Sequence, residues 1–314
     1  MSEPRAARAP ASVAALPACM RFIERDWLSA NGVLFDDGTQ TALVDTGYTT
    51  HRETTLAVVQ HLLGTRRLDC IVNTHLHSDH CGGNALLQST WGCRTLIPSG
   101  SAQAVSQWDV HQLTFEATGQ RCERFTFDDV IRDGQMLELG GMPWTVIAAP
   151  GHDPQMVVLY CAPARVLISA DALWANGFGV IFPELEGASG FAEQRAILHR
   201  IAQLDVDLVI PGHGPMFADV QGALQRAHSR LDHLSADPAR NARHATKVLL
   251  KFLLLEHRQV PMVDVPALMD TIPLIATANR LYIGMEPGAL AEWAVADLVR
   301  AGAAAIENDL LIDR

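Results

Sequence analysis

Apolar positions recur along this chain with two different periods, and the switches between them lay out its elements. From Met20 to Val44 the apolar runs are short. Met20 to Glu24, Gly32 to Phe35 and Thr41 to Val44 read as strands, the last two joined by Asp36-Asp37-Gly38, a hairpin signal. Residues 51 to 64 change to helical spacing, with Leu56, Val59, Leu62 and Leu63 as the apolar positions and Gly64 as the stop, and Leu68 to Val72 returns to strand. The middle alternates again: a helix near 84 to 91, a strand at 94 to 97, a polar stretch through 126, and strands at 136 to 139, 144 to 148, 156 to 160 and 165 to 169. Phe191 to Leu204 is an amphipathic helix, and Leu208 to Ile210 a strand that stops at Pro211-Gly212. Beyond it strand patterns nearly vanish. Residues 221 to 234, 238 to 257 and 287 to 301 read as helices punctuated by Pro261, Pro266, Pro273 and Pro287, and Ala304 to Ile312 as a small hairpin. Interleaved strands and helices predict the α/β or α+β class.

The 314 residues are enough for about two domains and a sizeable core. With 48% apolar and 19% charged residues the balance is that of a soluble globular chain. Lys plus Arg number 24 against 35 Asp plus Glu, a net charge of −11, so nucleic acid would need a local basic patch to bind. Only Lys247 and Lys251 supply lysines. The six cysteines (Cys19, Cys70, Cys81, Cys93, Cys122, Cys161) sit singly, which points to free thiols and a cytoplasmic setting. No apolar stretch approaches the length of a membrane helix, so no membrane partner is expected. Residues 1 to 18, rich in Ala and Pro, read as a disordered tail; prolines inside the run weigh against a lipoprotein-type signal ending at Cys19.

The chemistry concentrates in Asn73-Thr74-His75-Leu76-His77-Ser78-Asp79-His80-Cys81-Gly82-Gly83, at the carboxyl end of one predicted strand and the start of a helix, where ligand sites of α/β proteins collect. In an extended stretch, residues two apart project to one side, so His75, His77 and Asp79 are expected to converge while His80 turns elsewhere, and Gly82 and Gly83 to let the backbone bend tightly afterwards. Three more groups of the right type each follow a predicted strand: His152 in Ala-Pro-Gly-His-Asp, Asp171 in Ile-Ser-Ala-Asp, and His213 in Ile-Pro-Gly-His-Gly. Cys81 reads as a small packed residue at a helix start.

From about Met20 to Phe217 the chain resembles the metallo-β-lactamase superfamily, through Val44-Asp45-Thr46-Gly47, the His-x-His-x-Asp-His run, and His152, Asp171 and His213 in that order. The resemblance implies a four-layer αββα sandwich over residues 19 to 220, with 221 to 314 a mostly helical, degenerate winged-helix-like appendage. It implies that His75, His77 and His152 hold one metal ion, that Asp79, His80 and His213 hold the other, and that Asp171 bridges them, with Asp45 orienting ligands from behind. Five imidazoles and two carboxylates without a thiolate suit two zinc ions, although iron or manganese would tolerate the same donors. Such a pair suits hydrolysis by a metal-bridging hydroxide, with Asp79 orienting the attacking oxygen and moving its proton.

Within that superfamily the 42 positions from Asp171 to His213 are too few for the inserted domain of its nucleic-acid-processing members. Glyoxalase II relatives carry His where this chain has Leu76, and basic residues late in the chain that are not obvious here. An ester, thioester or lactone of a small molecule with an apolar part is the expected substrate; a phosphodiester and a non-catalytic, metal-binding regulatory role are the alternatives. Trp174, Phe178 and Phe182 follow a ligand directly and are expected to wall the pocket, with Trp27 and Asn31 at its border. From residue 235 onward eight Lys or Arg face ten Asp or Glu, which lacks the basic stripe that nucleic acid requires. That region is expected to pack against the catalytic domain, shape the pocket or carry a homodimer contact.

Overall fold

A computed structural model describes residues 16 to 314, so most of the expected N-terminal tail lies outside the described residues. The first sheet holds β1 (Met20–Ile23), β2 (Gly32–Asp36), β3 (Thr41–Val44), β4 (Cys70–Val72), β5 (Arg94–Pro98) and β6 (Asp129–Ile131), in that spatial order. Strands β1 to β3 run antiparallel, and β3 to β6 parallel. Parallel neighbours need crossovers, which α1 (Arg52–Leu63), α2 (Ser78–Cys81), α3 (Asn84–Trp91), α4 (Ala102–Gln107) and α5 (Phe115–Thr118) supply. The last two lie inside the polar stretch through 126, for which the sequence reading named no element.

The second sheet orders β7 (Met136–Leu139), β8 (Met142–Ala148), β9 (Val157–Cys161), β10 (Val166–Ala170) and β11 (Leu208–Pro211) as 11-10-9-8-7, with only β10 and β11 parallel, crossing through α6 (Phe191–Ala202). Strand β10 is buried at all five positions, the mark of a strand covered on both faces, whereas edge strand β7 alternates exposed and buried. The two sheets meet face to face over Val33, Phe35, Val44, Trp144, Leu159 and Ile168. Helices α1 and α3 cover the outer face of the first sheet, and α6 and α7 (Val220–Ser235) that of the second. The result is the αββα sandwich that the resemblance implies.

The rest of the chain forms a third cluster: α8 (Pro238–His257), β12 (Gln259–Pro261), α9 (Val265–Asp270), α10 (Pro273–Ala278), α11 (Pro287–Arg300), β13 (Ala304–Glu307) and β14 (Leu310–Asp313) around Leu249, Leu253, Ile275 and Val295. The sequence places the boundary of this region at 220. Beyond that position, Ala223, Leu224, Ala227 and Leu231 of α7 still sit in the core of the second sheet. The terminal hairpin is also a three-stranded sheet, since β14 pairs with β12 as well as β13. Among the described residues no helix is long and apolar enough to cross a membrane.

Candidate metal centre

Four loops carry the candidate donors, each leaving a strand end where the two sheets meet: after β4, β8, β10 and β11. After β4 the backbone runs extended through His77 (φ −62°, ψ 148°) and then coils into the single turn of α2. That turn corrects the sequence reading. Alternation ends at His77, so His80 swings back toward the donors, and Asp79 joins His213 rather than His75 and His77. Gly82 and Gly83 are also needed for another reason than bending: both have ordinary negative φ (−63° and −87°), but a Cβ on Gly82 would run into the backbone of Tyr48 and Thr49, and one on Gly83 into Thr46.

The donor atoms gather in three overlapping groups: His75, His77 and His152; His75, His80 and Asp171; and Asp79, His80 and His213, each set lying within 4.8 Å. His77 Nδ1 lies 2.8 Å from His152 Nε2 and 3.2 Å from His75 Nε2. Asp171 Oδ2 is 3.3 Å from His152 Nε2, 3.6 Å from His80 Nε2 and 4.0 Å from His213 Nε2, central to the cluster. Asp79 Oδ2 lies 3.0 Å from His213 Nε2.

Outer partners aim the rings. His80 Nδ1 lies 2.8 Å from Asp45 Oδ2, a carboxylate that also accepts from the Thr74 backbone N–H (2.9 Å) and hydroxyl (2.7 Å). His152 Nδ1 donates to the Val180 carbonyl at 2.6 Å, leaving its Nε2 lone pair directed inward. The Trp174 indole N–H donates to Asp171 Oδ1 at 3.2 Å. Among the described residues His80 Nε2 is buried with no hydrogen-bond partner, and the Asp171 and Asp79 carboxylates lie 3.6 and 3.9 Å from it. A buried polar atom left so is costly, and a cation shared with those carboxylates would satisfy it. The donor set therefore fits a divalent metal.

Charge works in the same direction at three of the rings and at the two carboxylates. Burial, reinforced by neighbouring imidazoles, pushes His75 well down, and burial lowers His77 and His152 to about 4, so these three rings present lone pairs. Burial also opposes charge on His80, but Asp45, Asp171 and Asp79 overcome it and hold that ring high. Against the cost of burial, His80 and His213 keep Asp79 and Asp171 ionised.

The cluster opens into a cavity of about 620 Å³ between the sandwich and the C-terminal helices. Trp27, Trp174 and Phe182 line it: Trp27 stacks on the His213 ring (centroids 5.4 Å, 3° between planes), and Phe182 meets His77 edge to face at 5.2 Å. Phe178, expected in the wall, and Asn31, expected at the border, lie elsewhere. Phe178 is fully buried in the core of the second sheet, and Asn31 spends its amide on the Pro211 and Gly214 carbonyls (3.0 and 2.8 Å) and the Arg25 N–H (2.8 Å), since a buried amide must be satisfied. Asn31 thus pins the His213 loop from behind.

Sequence reasoning missed Thr74, which braces Asp45, and Asp153, whose carboxylate lies 3.6 Å from His77 Nε2. Asp153 had a signal in its place beside His152. It also missed the far wall, where Val248, Phe252 and Leu255 of α8 face the cavity together with Arg230, His244, Lys247 and Lys251. Nothing in the local pattern of α7 or α8 marks those residues, because only the packing of the two helices brings them to one surface.

A sequence profile of the metallo-beta-lactamase superfamily matches residues 25–213. A "Beta-lactamase-like protein 2 homolog" from Caenorhabditis elegans is 25% identical over 236 residues, covering 75% of this chain and 68% of that protein. A "Hydroxyacylglutathione hydrolase" from Hyphomonas neptunium is 30% identical over 112 residues, covering 36% of each, and another from Rhodopseudomonas palustris is 27% identical over 154 residues, covering 49% of this chain and 51% of the relative. The chain thus spans between about a third and two thirds of these relatives. In fold it is similar to a metallo-beta-lactamase family protein from Thermus thermophilus (TM-score 0.57, 19% identity, 96% of this chain and all of that one). It is also similar to a subclass B3 metallo-beta-lactamase of Bradyrhizobium japonicum (TM-score 0.55, 14% identity, 69% of this chain and 91% of that one).

Proposed function

We propose that this chain, which belongs to the metallo-beta-lactamase superfamily, is a metal-dependent hydrolase of a small molecule carrying an ester, thioester or lactone. One observation carries the reading: seven inward-facing His and Asp side chains at the floor of a cavity whose walls are largely apolar. His75, His77 and His152 would hold one divalent ion and Asp79, His80 and His213 the other, with Asp171 between them. Zinc suits those donors best. Bound there, the ions would polarise a substrate oxygen and acidify water.

The residues do the rest. Asp79, which the His80 and His213 rings keep ionised, is the group we assign to take and return a proton. Trp27 and Phe182 shut bulk water away from two sides of the cluster and offer flat apolar faces to the substrate. Relatives named for hydroxyacylglutathione hydrolysis support an acyl-transfer substrate. The negative net charge supports a small molecule over nucleic acid.

Zinc-loaded protein assayed against aryl esters, acyl thioesters, lactones and bis(p-nitrophenyl) phosphate is expected to turn over an acyl compound and to lose that activity to a chelator. Turnover of the phosphate diester alone would replace this substrate class.

A further inference from the structure

Four cationic side chains line the cavity: Arg230, Lys247, Lys251 and Arg314. Three have carboxylate partners: Asp297 for Lys247, Asp313 for Lys251, and Glu307 for Arg314. Arg230 has none among the described residues. It is half-buried at the cavity wall, against aromatic rings. The guanidinium lies 5.3 Å above the centre of the buried Phe178 ring, and its Nη2 donates at 2.6 Å to His244 Nε2. That partner is neutral, since burial, with Arg230 and Lys247 nearby, lowers His244 to about 3. Burial disfavours the charge on Arg230 as well, and nothing nearby offsets it. A guanidinium presents five N–H donors in a planar fork matched to an oxyanion, and only one here meets a described protein acceptor. Removing a positive charge from water and leaving it unpaired costs free energy that a folded protein ordinarily avoids.

The fork is tied to the candidate centre by the loop after Asp171. Gly177 has φ +128°, and a Cβ there would come within 2.7 Å of Arg230 Nη1, so the chain passes flat against the guanidinium. Gly179, two residues on, abuts the His152 ring in the same manner. Arg230 therefore stands within about 15 Å of that ring, given 3.8 Å per Cα step.

From this geometry we infer that Arg230 is a specificity-determining residue that receives a carboxylate of the substrate, at the end of the cavity away from the reacting bond. A monoanion balances one unpaired charge, whereas a phosphate dianion would leave an uncompensated negative charge against apolar walls. The substrate class narrows to esters, thioesters or lactones bearing an apolar body and one free carboxylate. This rests on the hydrolytic reading of the site.

The test uses full-length, zinc-loaded protein as wild type, Arg230→Gln and Arg230→Lys, with two matched probe pairs. S-phenyl glutaryl thioester and S-phenyl valeryl thioester differ by the carboxylate; monomethyl and dimethyl glutarate do the same for calorimetric binding. The kcat/KM preference for the glutaryl over the valeryl thioester is expected to fall at least tenfold in Arg230→Gln and by less in Arg230→Lys. The affinity ratio of the monomethyl to the dimethyl ester should fall in parallel. Equal losses on both members of a pair, or unchanged ratios, would overturn the assignment. If wild type cleaves neither thioester, the calorimetric ratio alone decides Arg230, and the panel of aryl esters, other thioesters, lactones and the phosphate diester decides the hydrolytic reading. If Arg230→Gln fails to fold, seen as loss of the unfolding transition, Arg230→Lys carries the comparison.

Discussion

Asp45 has a positive φ of 57°, a conformation that a side-chain-bearing residue adopts at a cost and that Asp tolerates better than most. It gains a carboxylate held by three contacts, to the Thr74 N–H, the Thr74 hydroxyl and His80 Nδ1, each at 2.7 to 2.9 Å. The ring of His80 is thereby fixed with Nε2 toward Asp171. Asp45→Asn preserves size but removes the charge that favours the Nδ1–H form of His80. Zinc affinity, read by competition with a chromophoric chelator, is expected to weaken about 10- to 100-fold with the fold unchanged by circular dichroism. Wild-type affinity in the variant would show that Asp45 serves only the backbone.

Helices α7 and α8 meet through a pair that makes acid stability a property of their contact. His244, on α8, is lowered to about 3 by burial against the Arg230 and Lys247 charges. Its unfolded value is near 6.5, so the depressed native value adds stability that is fully present above pH 6.5 and is lost as pH falls toward 3. In urea unfolding at pH 7 and pH 5, His244→Gln is expected to lose about 2 kcal/mol less than wild type between the two pH values. An identical acid loss in both would remove His244 as the cause.

The same two elements show what the sequence could disclose. Strong helical periodicity located α3, α7 and α8 within a residue or so, and α8 is framed by Asp237, whose side chain accepts from the Ala239 N–H, and by Pro238 in its first turn. The seven candidate donors could be picked out too, because chemistry-bearing side chains after strand ends are a local pattern and their order resembles that of the superfamily. The direction of His80 was not, since a single helical turn has no periodicity to read. Nor was β12, three residues long, or the use of Phe178 and Asn31, which depends on what lies across from them.

At the scale of the molecule the sandwich and the C-terminal unit share one wall. Phe252 of α8 meets Tyr48 edge to face at 5.0 Å, and the Tyr48 hydroxyl donates to Glu256 at 3.1 Å, while Glu256 also pairs with Arg121. Burial next to the Glu256 carboxylate excludes an ionised Tyr48 under ordinary conditions. Phe252→Ala is expected to cost about 3 kcal/mol in denaturant unfolding and to raise KM, since the ring is both a core contact and part of the cavity wall. A loss below about 1 kcal/mol would mean that the units lean on each other elsewhere.

The placement of the donors has a consequence for how the protein reaches its working state. They come from strand ends of both sheets, with His75 and His213 at opposite extremes of the chain segment. Neither half assembled alone owns a complete set: a chain that has finished only the first sheet lacks His152, Asp171 and His213. Metal capture by the full cluster would thus report that the two sheets have docked.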